Sequence, residues 1–269
     1  MEFYGLIGEK LGHSISPQIH NMAFNMLGIE GAYKLFEIPK DRISSLGESI
    51  KTLSIKGVNV TIPYKQEVQG QLDFISDEAK SIGAVNTIAL KDGKLYGYNT
   101  DYYGFGMMLE HNNIETKDKV AVVLGNGGAA KAVNAYLLDS GVKNLYLVSR
   151  NKNVNNDNSK INLIDYDDLN KLDGGDILVN TTPLGMYPKV GVSAVSEDII
   201  NKFDSIVDII YNPEETEFIR LGRKLDKVTC SGLYMLVGQA IKSEEIWQDK
   251  KIDKDIIDKI FVEMSKLFK

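Results

Sequence analysis

Cysteine is nearly absent from this 269-residue chain: Cys230 stands alone, which excludes an intrachain disulfide and a cysteine-based metal cluster. Long hydrophobic runs are missing as well, and without a stretch of about 18 apolar residues no transmembrane helix is expected. The opening Met1-Glu2-Phe3-Tyr4-Gly5 has neither the basic start nor the long apolar core of a signal peptide, so a reducing cytoplasm is the expected setting. Positive charge is not in excess. The formal net charge is −6 with acids and bases interspersed, which argues against nucleic acid or an anionic membrane as partner and means that any anionic ligand is held by local groups. Histidine is scarce, with three residues, so few side chains offer a proton near neutrality. No internal repeat or low-complexity tract stands out.

The length suits two domains of ordinary size. Residues 3–7, 34–38, 57–61, 84–90 and 94–98 read as strands with helical patterns between them, and Asp92-Gly93 reads as a hairpin turn. Ser16-Pro17 predicts a helix start with serine as the cap, and Gly28 predicts its stop. Residues 120–124, 145–148, 177–180, 205–210 and 227–229 repeat the strand–helix alternation of a doubly wound sheet. Two helices are expected over 233–247 and 253–268, the second with Ile256, Ile257, Ile260, Phe261, Met264, Leu267 and Phe268 as its core face. The fold class is therefore α/β in two domains. Residues 1–102 are expected to form one α/β domain, completed by helices from 236–269, and 103–235 a second, Rossmann-like domain. The asparagine-rich stretch 153–158 is expected to be an exposed loop.

The most informative segment is Gly125-Asn126-Gly127-Gly128-Ala129-Ala130, which follows an apolar strand and opens a helical pattern. A glycine turn there lets backbone approach a pyrophosphate, and the helix start offers unpaired N–H groups and a positive dipole end. In NAD-binding versions of this unit an acid about 20 residues on bonds the ribose 2′-hydroxyl. Here the second strand ends in Ser149 and Arg150, with Lys152 nearby, and a guanidinium pairs with a 2′-phosphate that an acid would repel. NADP is the expected cofactor.

A nicotinamide enzyme supplies orientation and a proton from its own side chains. Of the histidines, His111 reads as a surface residue, His20 as a structural one on the first helix, and His13 lies just ahead of that helix. Lys65 follows Asn59-Val60-Thr61-Ile62-Pro63-Tyr64 directly after a strand, where open α/β sheets place ligands, and Asp101 follows another. The two could meet as an ion pair. Thr61, Asn86 and Asn99 sit at neighbouring strand ends, able to bond hydroxyls, and Ser14 and Ser16 flank a helix start suited to a carboxylate. These parts fit a small polyhydroxylated acid.

Taken together, Gly12-His13-Ser14-Ile15-Ser16-Pro17 with His20-Asn21, Asn59-Val60-Thr61-Ile62-Pro63-Tyr64-Lys65, Gly83-Ala84-Val85-Asn86-Thr87, Gly97-Tyr98-Asn99-Thr100-Asp101 and Asn180-Thr181-Thr182-Pro183-Leu184-Gly185-Met186 resemble the shikimate dehydrogenase family, in order along essentially the whole chain. The resemblance implies reversible reduction of 3-dehydroshikimate to shikimate with NADPH, on the route to chorismate and aromatic amino acids. It gives Lys65 the role of general acid and base, with Asp101 its partner. It places Ser14, Ser16 and Tyr211 at the substrate carboxylate, and Thr61, Asn86 and Gln239 around the ring hydroxyls. Gly125, Asn126, Gly127, Gly128 and Ala129 match the pyrophosphate loop, Ser149, Arg150 and Asn151 the 2′-phosphate turn, and Ile209 and Gly232 the nicotinamide lining. Asp77 is placed near the cofactor. The implied partner is a small molecule, with no nucleic acid, no membrane and no metal, and a homodimer is compatible with the family.

The departures are Ser149 and Asn151, where the family commonly has asparagine and threonine, Lys152 as the second basic residue, and Tyr234, where relatives often carry a smaller side chain. A quinate-using dehydrogenase on the same fold is the nearest rival. A catalytically silent binding module would lack Lys65 or Asp101, and a folate-type dehydrogenase would lack the paired serines and Asn99-Thr100-Asp101.

Overall fold

A computed structural model of the chain describes residues 1–12, 14–151 and 158–268. His13, Lys269 and the segment 152–157, with Lys152 and most of the asparagine-rich stretch, lie outside the described residues. The chain divides into two compact units, one formed by 1–104 with 237–264 and the other by 105–236 with 265–269.

The first unit is built on β1 (Glu2–Gly8), β2 (Gly31–Glu37), β3 (Gly57–Val60), β4 (Phe74–Ile75), β5 (Thr87–Lys91) and β6 (Lys94–Tyr98), in the order β2-β1-β3-β5-β6-β4. The strands β2, β1 and β3 run parallel, whereas β5 is antiparallel to both β3 and β6. Between β5 and β6 the sense changes because Asp92 and Gly93, at φ 50° and 72°, make the left-handed two-residue turn that closes a hairpin with Lys91 opposite Lys94. Ala84 and Val85, expected in β5, lie outside it: Val85 N donates to Lys65 O at 2.8 Å, which pulls this stretch towards the lysine.

The helix Ser16–Leu27 buries Ile19, His20, Ala23 and Phe24 and stops at Gly28, which has φ 68°. Ser16 is not its cap, as the sequence suggested. It is already helical, the cap position is Ile15, and Ser16 N instead donates to Ser14 Oγ at 3.3 Å. Trp247, on the later helix Leu233–Gln248, closes the core beneath β1 and β3 and donates from its indole to Ile88 O at 3.0 Å. Gly57 makes this possible, since a Cβ there would sit 2.1 Å from the Trp247 indole nitrogen.

The second unit contains β7 (Val120–Leu124), β8 (Asn144–Val148), β9 (Ile161–Ile164), β10 (Gly175–Asn180), β11 (Phe203–Asp208) and β12 (Val228–Cys230). They form one parallel sheet in the order β12-β11-β10-β7-β8-β9, with strand order reversing between β7 and β10. Leu124 pairs with both Val148 and Asn180, and Asn180 pairs with Asp208, so the carboxyl ends of four strands finish level. Gly125, Ser149, Thr181 and Ile209 therefore emerge together on one edge.

The helix Lys254–Ser265 buries Ile257, Ile260 and Met264, but Leu267 is 58% exposed. A tighter turn over Lys266–Phe268 breaks the helical spacing and swings Leu267 outward. Among the described residues no helix is long and apolar enough to cross a membrane, and no three or more His, Cys, Asp or Glu side chains are grouped so as to hold a metal ion.

Candidate active site

In the first unit the local fold converges on Lys65. The chain leaves β3 and turns at Thr61, whose carbonyl accepts from Tyr64 N at 3.0 Å; Tyr64 is buried and its hydroxyl donates to Ile38 O. With its neighbour pinned inside the core, Lys65 stays partly exposed and its ammonium donates to Asp101 Oδ2 at 2.6 Å. Asp101 lies in the first turn of the helix Thr100–His111, where the helix dipole favours a carboxylate. Asn86 fixes the start of that helix, its Oδ1 accepting from Thr100 N at 2.6 Å. The side chains of Lys65 and Asp101 are 23% and 11% exposed, so the pair is sheltered yet keeps an open face. Among the described residues Asp101 is the one acceptor on this ammonium, and its remaining hydrogens are available to a ligand.

Other predicted substrate groups fall around the same framework. Asn86 Nδ2 donates to Gln239 Oε1 at 3.3 Å, and Thr61 is half-buried at the end of β3. The hydroxyls of Ser14 and Ser16 stand 3.1 Å apart, a spacing at which both can donate to one carboxylate. Asn99 departs from its expected role as a hydroxyl contact. It is 1% exposed, with Nδ2 donating to Ala84 O at 2.9 Å and Oδ1 accepting from Tyr102 N at 3.4 Å, so it ends the preceding loop and caps the helix. Asp77 also belongs to this unit, fully exposed and facing Lys80 at 3.5 Å.

His20 is the structural histidine expected, buried on Glu244 at 2.6 Å and stacked on Tyr33 with ring centres 4.0 Å apart. His111, expected at the surface, is half-buried and stacks on Tyr234 at 3.9 Å. An aromatic residue at 234 thus acquires a partner of its own.

In the second unit the level strand ends border a cleft of about 960 Å³. Gly125 N donates to Val148 O at 2.9 Å and its φ of 96° turns the chain; a Cβ there would sit 2.8 Å from Thr182 Cγ2. Gly127 and Gly128 are different, because a Cβ at either would meet nothing within 4 Å. No packing within the protein asks for glycine there, so the open space is room for something to approach the backbone. Gly127 caps the helix Gly128–Asp139 without a side-chain bond, and no acid occupies the first turn, which leaves N–H donors and the positive end of the dipole facing that space. Across the cleft, Ser149 Oγ accepts from Asn151 N at 3.3 Å and holds the turn that presents the exposed Arg150. A dinucleotide with a 2′-phosphate fits these donors.

Sequence reasoning did not assign Thr181, Thr182, Leu184 or Tyr166 to this cleft, though all four line it. Three of them follow directly on β10, so the signal was the strand end. Ile209 and Gly232 are adjacent: a Cβ on Gly232 would fall 2.0 Å from Ile209 O, and Gly232 N donates to Ile210 O at 3.0 Å. Tyr211 is half-buried with its ring edge-on to Phe268 at 5.9 Å, and burial raises its phenol above the usual range.

Asp208, beneath this edge, is fully buried, and burial raises its carboxyl to about 6 against the opposing pull of hydrogen bonds from Thr216, Ile210 N and Asn180. Between the ordinary carboxylate value and about 6 the folded protein holds a proton that the unfolded chain has released, so this group's contribution to stability falls as pH rises through that window. The shift corresponds to about 3 kcal/mol. Denaturant unfolding of Asp208→Asn beside the unsubstituted chain at pH 4 and pH 7 should therefore show the difference moving by about that amount in favour of the variant at the higher pH. An unchanged difference would mean that Asp208 titrates as it does in the unfolded chain.

Comparison with known proteins places these features in context. A sequence model of the shikimate dehydrogenase substrate-binding domain matches residues 6–88. A shikimate dehydrogenase (NADP(+)) of Clostridium beijerinckii is 62% identical over 258 residues, 95% of each chain. The crystal structure of shikimate dehydrogenase 1 from Peptoclostridium difficile is 57% identical, with TM-score 0.91 over 100% of this chain and 99% of that one. A Thermus thermophilus shikimate 5-dehydrogenase in complex with NADP(H) and shikimate is 28% identical, with TM-score 0.86 over 98% of this chain and 99% of that one.

Proposed function

The chain belongs to the shikimate dehydrogenase family, and from that premise we propose that its Lys65–Asp101 pair performs the proton transfer of the family's reaction. The reaction is the NADP-dependent, reversible reduction of 3-dehydroshikimate to shikimate, in the biosynthesis of chorismate and aromatic amino acids. The observation that carries the reading is the 2.6 Å contact between the ammonium and the carboxylate, with donors left over on one side.

When bound, NADPH supplies the hydride to C3. As negative charge grows on the C3 oxygen, the Lys65 ammonium donates a proton to it, and the ketone becomes an alcohol. In oxidation the neutral amine takes that proton back. Asp101 holds the lysine in place and accepts from a ring hydroxyl. Ser14 and Ser16 donate to the carboxylate with Tyr211, while Thr61, Asn86 and Gln239 orient the ring. Gly125, Asn126, Gly127, Gly128 and Ala129 hold the pyrophosphate, with Ser149, Arg150 and Asn151 on the 2′-phosphate and Ile209 and Gly232 along the nicotinamide. Asp77, fully exposed in the first unit, completes the proposed cofactor set.

Initial rates with shikimate and quinate, each paired with NADP and NAD, test the assignment. Shikimate with NADP is expected to be preferred by a wide margin, and better turnover of quinate would move the chain to the quinate-using branch. Gly128→Ala isolates the cofactor cradle: the added methyl has open space at a helical position that suits alanine, so the unfolding midpoint should hold while KM for NADP rises about tenfold. A reducing cytoplasm suits the buried, unpaired Cys230 and completes the proposal with a homodimer, which sedimentation velocity should register at twice the chain mass of 29.9 kDa.

A further inference from the structure

Asp208 ends β11 in register with Asn180 at the end of β10, and it is 0% exposed. Its Oδ1 accepts from Asn180 Nδ2 at 3.1 Å and from Ile210 N at 3.1 Å, and its Oδ2 accepts from Thr216 Oγ1 at 2.7 Å. Thr216 in turn caps the helix Glu217–Lys224 by accepting from Ile219 N at 3.3 Å. On the other side, Asn180 turns its Oδ1 to Thr182, accepting from the backbone N at 3.0 Å and from Oγ1 at 2.7 Å, while Nδ2 reaches Leu184 O at 3.4 Å. One carboxyl thus ties down two segments. Residues 181–184 line the cleft, and 209–216 carry Ile209 and Tyr211.

Among the described residues no lysine or arginine pairs with Asp208. A carboxyl buried without a cation is costly, and an apolar side chain of similar size would serve a core better. What an apolar side chain lacks is the ability to accept from three donors on two segments. The hydrogen-bonded chain from Thr216 through Asp208 and Asn180 to Thr182 gives that ability a use at the cleft wall.

We propose that Asp208 is a positioning residue for the cofactor, which through Asn180 sets the placement of Thr182 and Leu184 in the cleft wall and through Ile210 N sets the strand exit that carries Ile209. This rests on the reading of the cleft as the NADP site. Asparagine at 208 keeps the two links that reach the cleft, its carbonyl oxygen accepting from Asn180 and Ile210 N, and reverses the third, its amide donating to Thr216 Oγ1. Alanine can do neither.

Titration calorimetry with NADP⁺ tests this, using the unsubstituted chain, Asp208→Asn, Asp208→Ala and Asn180→Ala, each well below its own unfolding midpoint. Asp208→Asn should bind within about threefold of the unsubstituted chain, and Asp208→Ala and Asn180→Ala should each bind about tenfold or more weakly. Should Asp208→Ala fail to fold, Asn180→Ala carries the same expectation, since it cuts the link to Thr182 and leaves the bonds to Ile210 and Thr216 intact. Unweakened binding in a folded alanine variant, with only the unfolding midpoint lowered, would show that Asp208 holds the fold and not the site. Equal damage from asparagine and alanine would show that charge, not the accepting geometry, is what matters, and would overturn the proposal. Failure of the unsubstituted chain to bind NADP⁺ would refute the assignment of the cleft itself, a result distinct from the other two.

Discussion

Lys65→Ala should lower kcat for shikimate oxidation by a factor of about 10² to 10⁴ while the KM values for shikimate and NADP move by less than about fivefold. The size follows from what the ammonium does. It stabilises negative charge that grows on the C3 oxygen only as hydride is transferred, so its loss is felt in the transition state far more than in the bound ground state. A factor in that range corresponds to about 3–5 kcal/mol of barrier. The fold should tolerate the change, because Lys65 is partly exposed and Asp101, left without its partner, sits in a helix first turn where a carboxylate is favoured. Steady-state rates with circular dichroism on the same preparation decide the matter. A raised KM with kcat preserved would reassign Lys65 to substrate binding.

The second large effect is expected at Arg150. Its replacement by alanine should raise KM for NADP by about 10- to 100-fold and leave KM for NAD within about twofold, since only NADP carries the 2′-phosphate. The side chain is exposed at the exit of β8, beside Tyr166 on the wall of the cleft, and the 149–151 turn contains no acid to hold a free ribose hydroxyl. Because the guanidinium is on the surface, high salt should shrink the discrimination in the unsubstituted chain and leave the variant unmoved. Parallel losses with both cofactors would place Arg150 against the shared part of the dinucleotide.

The sequence made the two sheets legible because strands buried on both faces read as short apolar runs, as in residues 120–124, and because Gly28, Asp92-Gly93 and Gly125 mark turns that only a few residue types can make. It concealed β9, since Ile161-Asn162-Leu163-Ile164 is four residues long and half-buried, too little pattern to stand out after an asparagine-rich stretch. In the site, Lys65 and Asp101 were readable as polar residues immediately after strands. Asn99 was misread because the same position suits either a ligand contact or a helix cap, and which one applies depends on Ala84 O and Tyr102 N, both fixed by tertiary structure. Asp208 left no trace as a junction, because its partners at 180, 210 and 216 come together only through strand register.

The order in which the chain is made has a bearing on the first unit. Its core is closed by Trp247 lodged against Gly57, its buried His20 is matched by Glu244, and Asn59 finds Ser243 Oγ at 2.8 Å, all through residues encoded after the last strand of the second sheet. The nucleotide-binding sheet, by contrast, is contained in one uninterrupted stretch, 105–236. On the ribosome the usual sequence of events is therefore inverted: the later-encoded sheet can form as it emerges, while the N-terminal unit waits, incomplete, for residues 237–264. A stalled or truncated product ending near residue 236 would carry a sound nucleotide-binding sheet alongside an open hydrophobic core, and quality-control proteases would meet that core first.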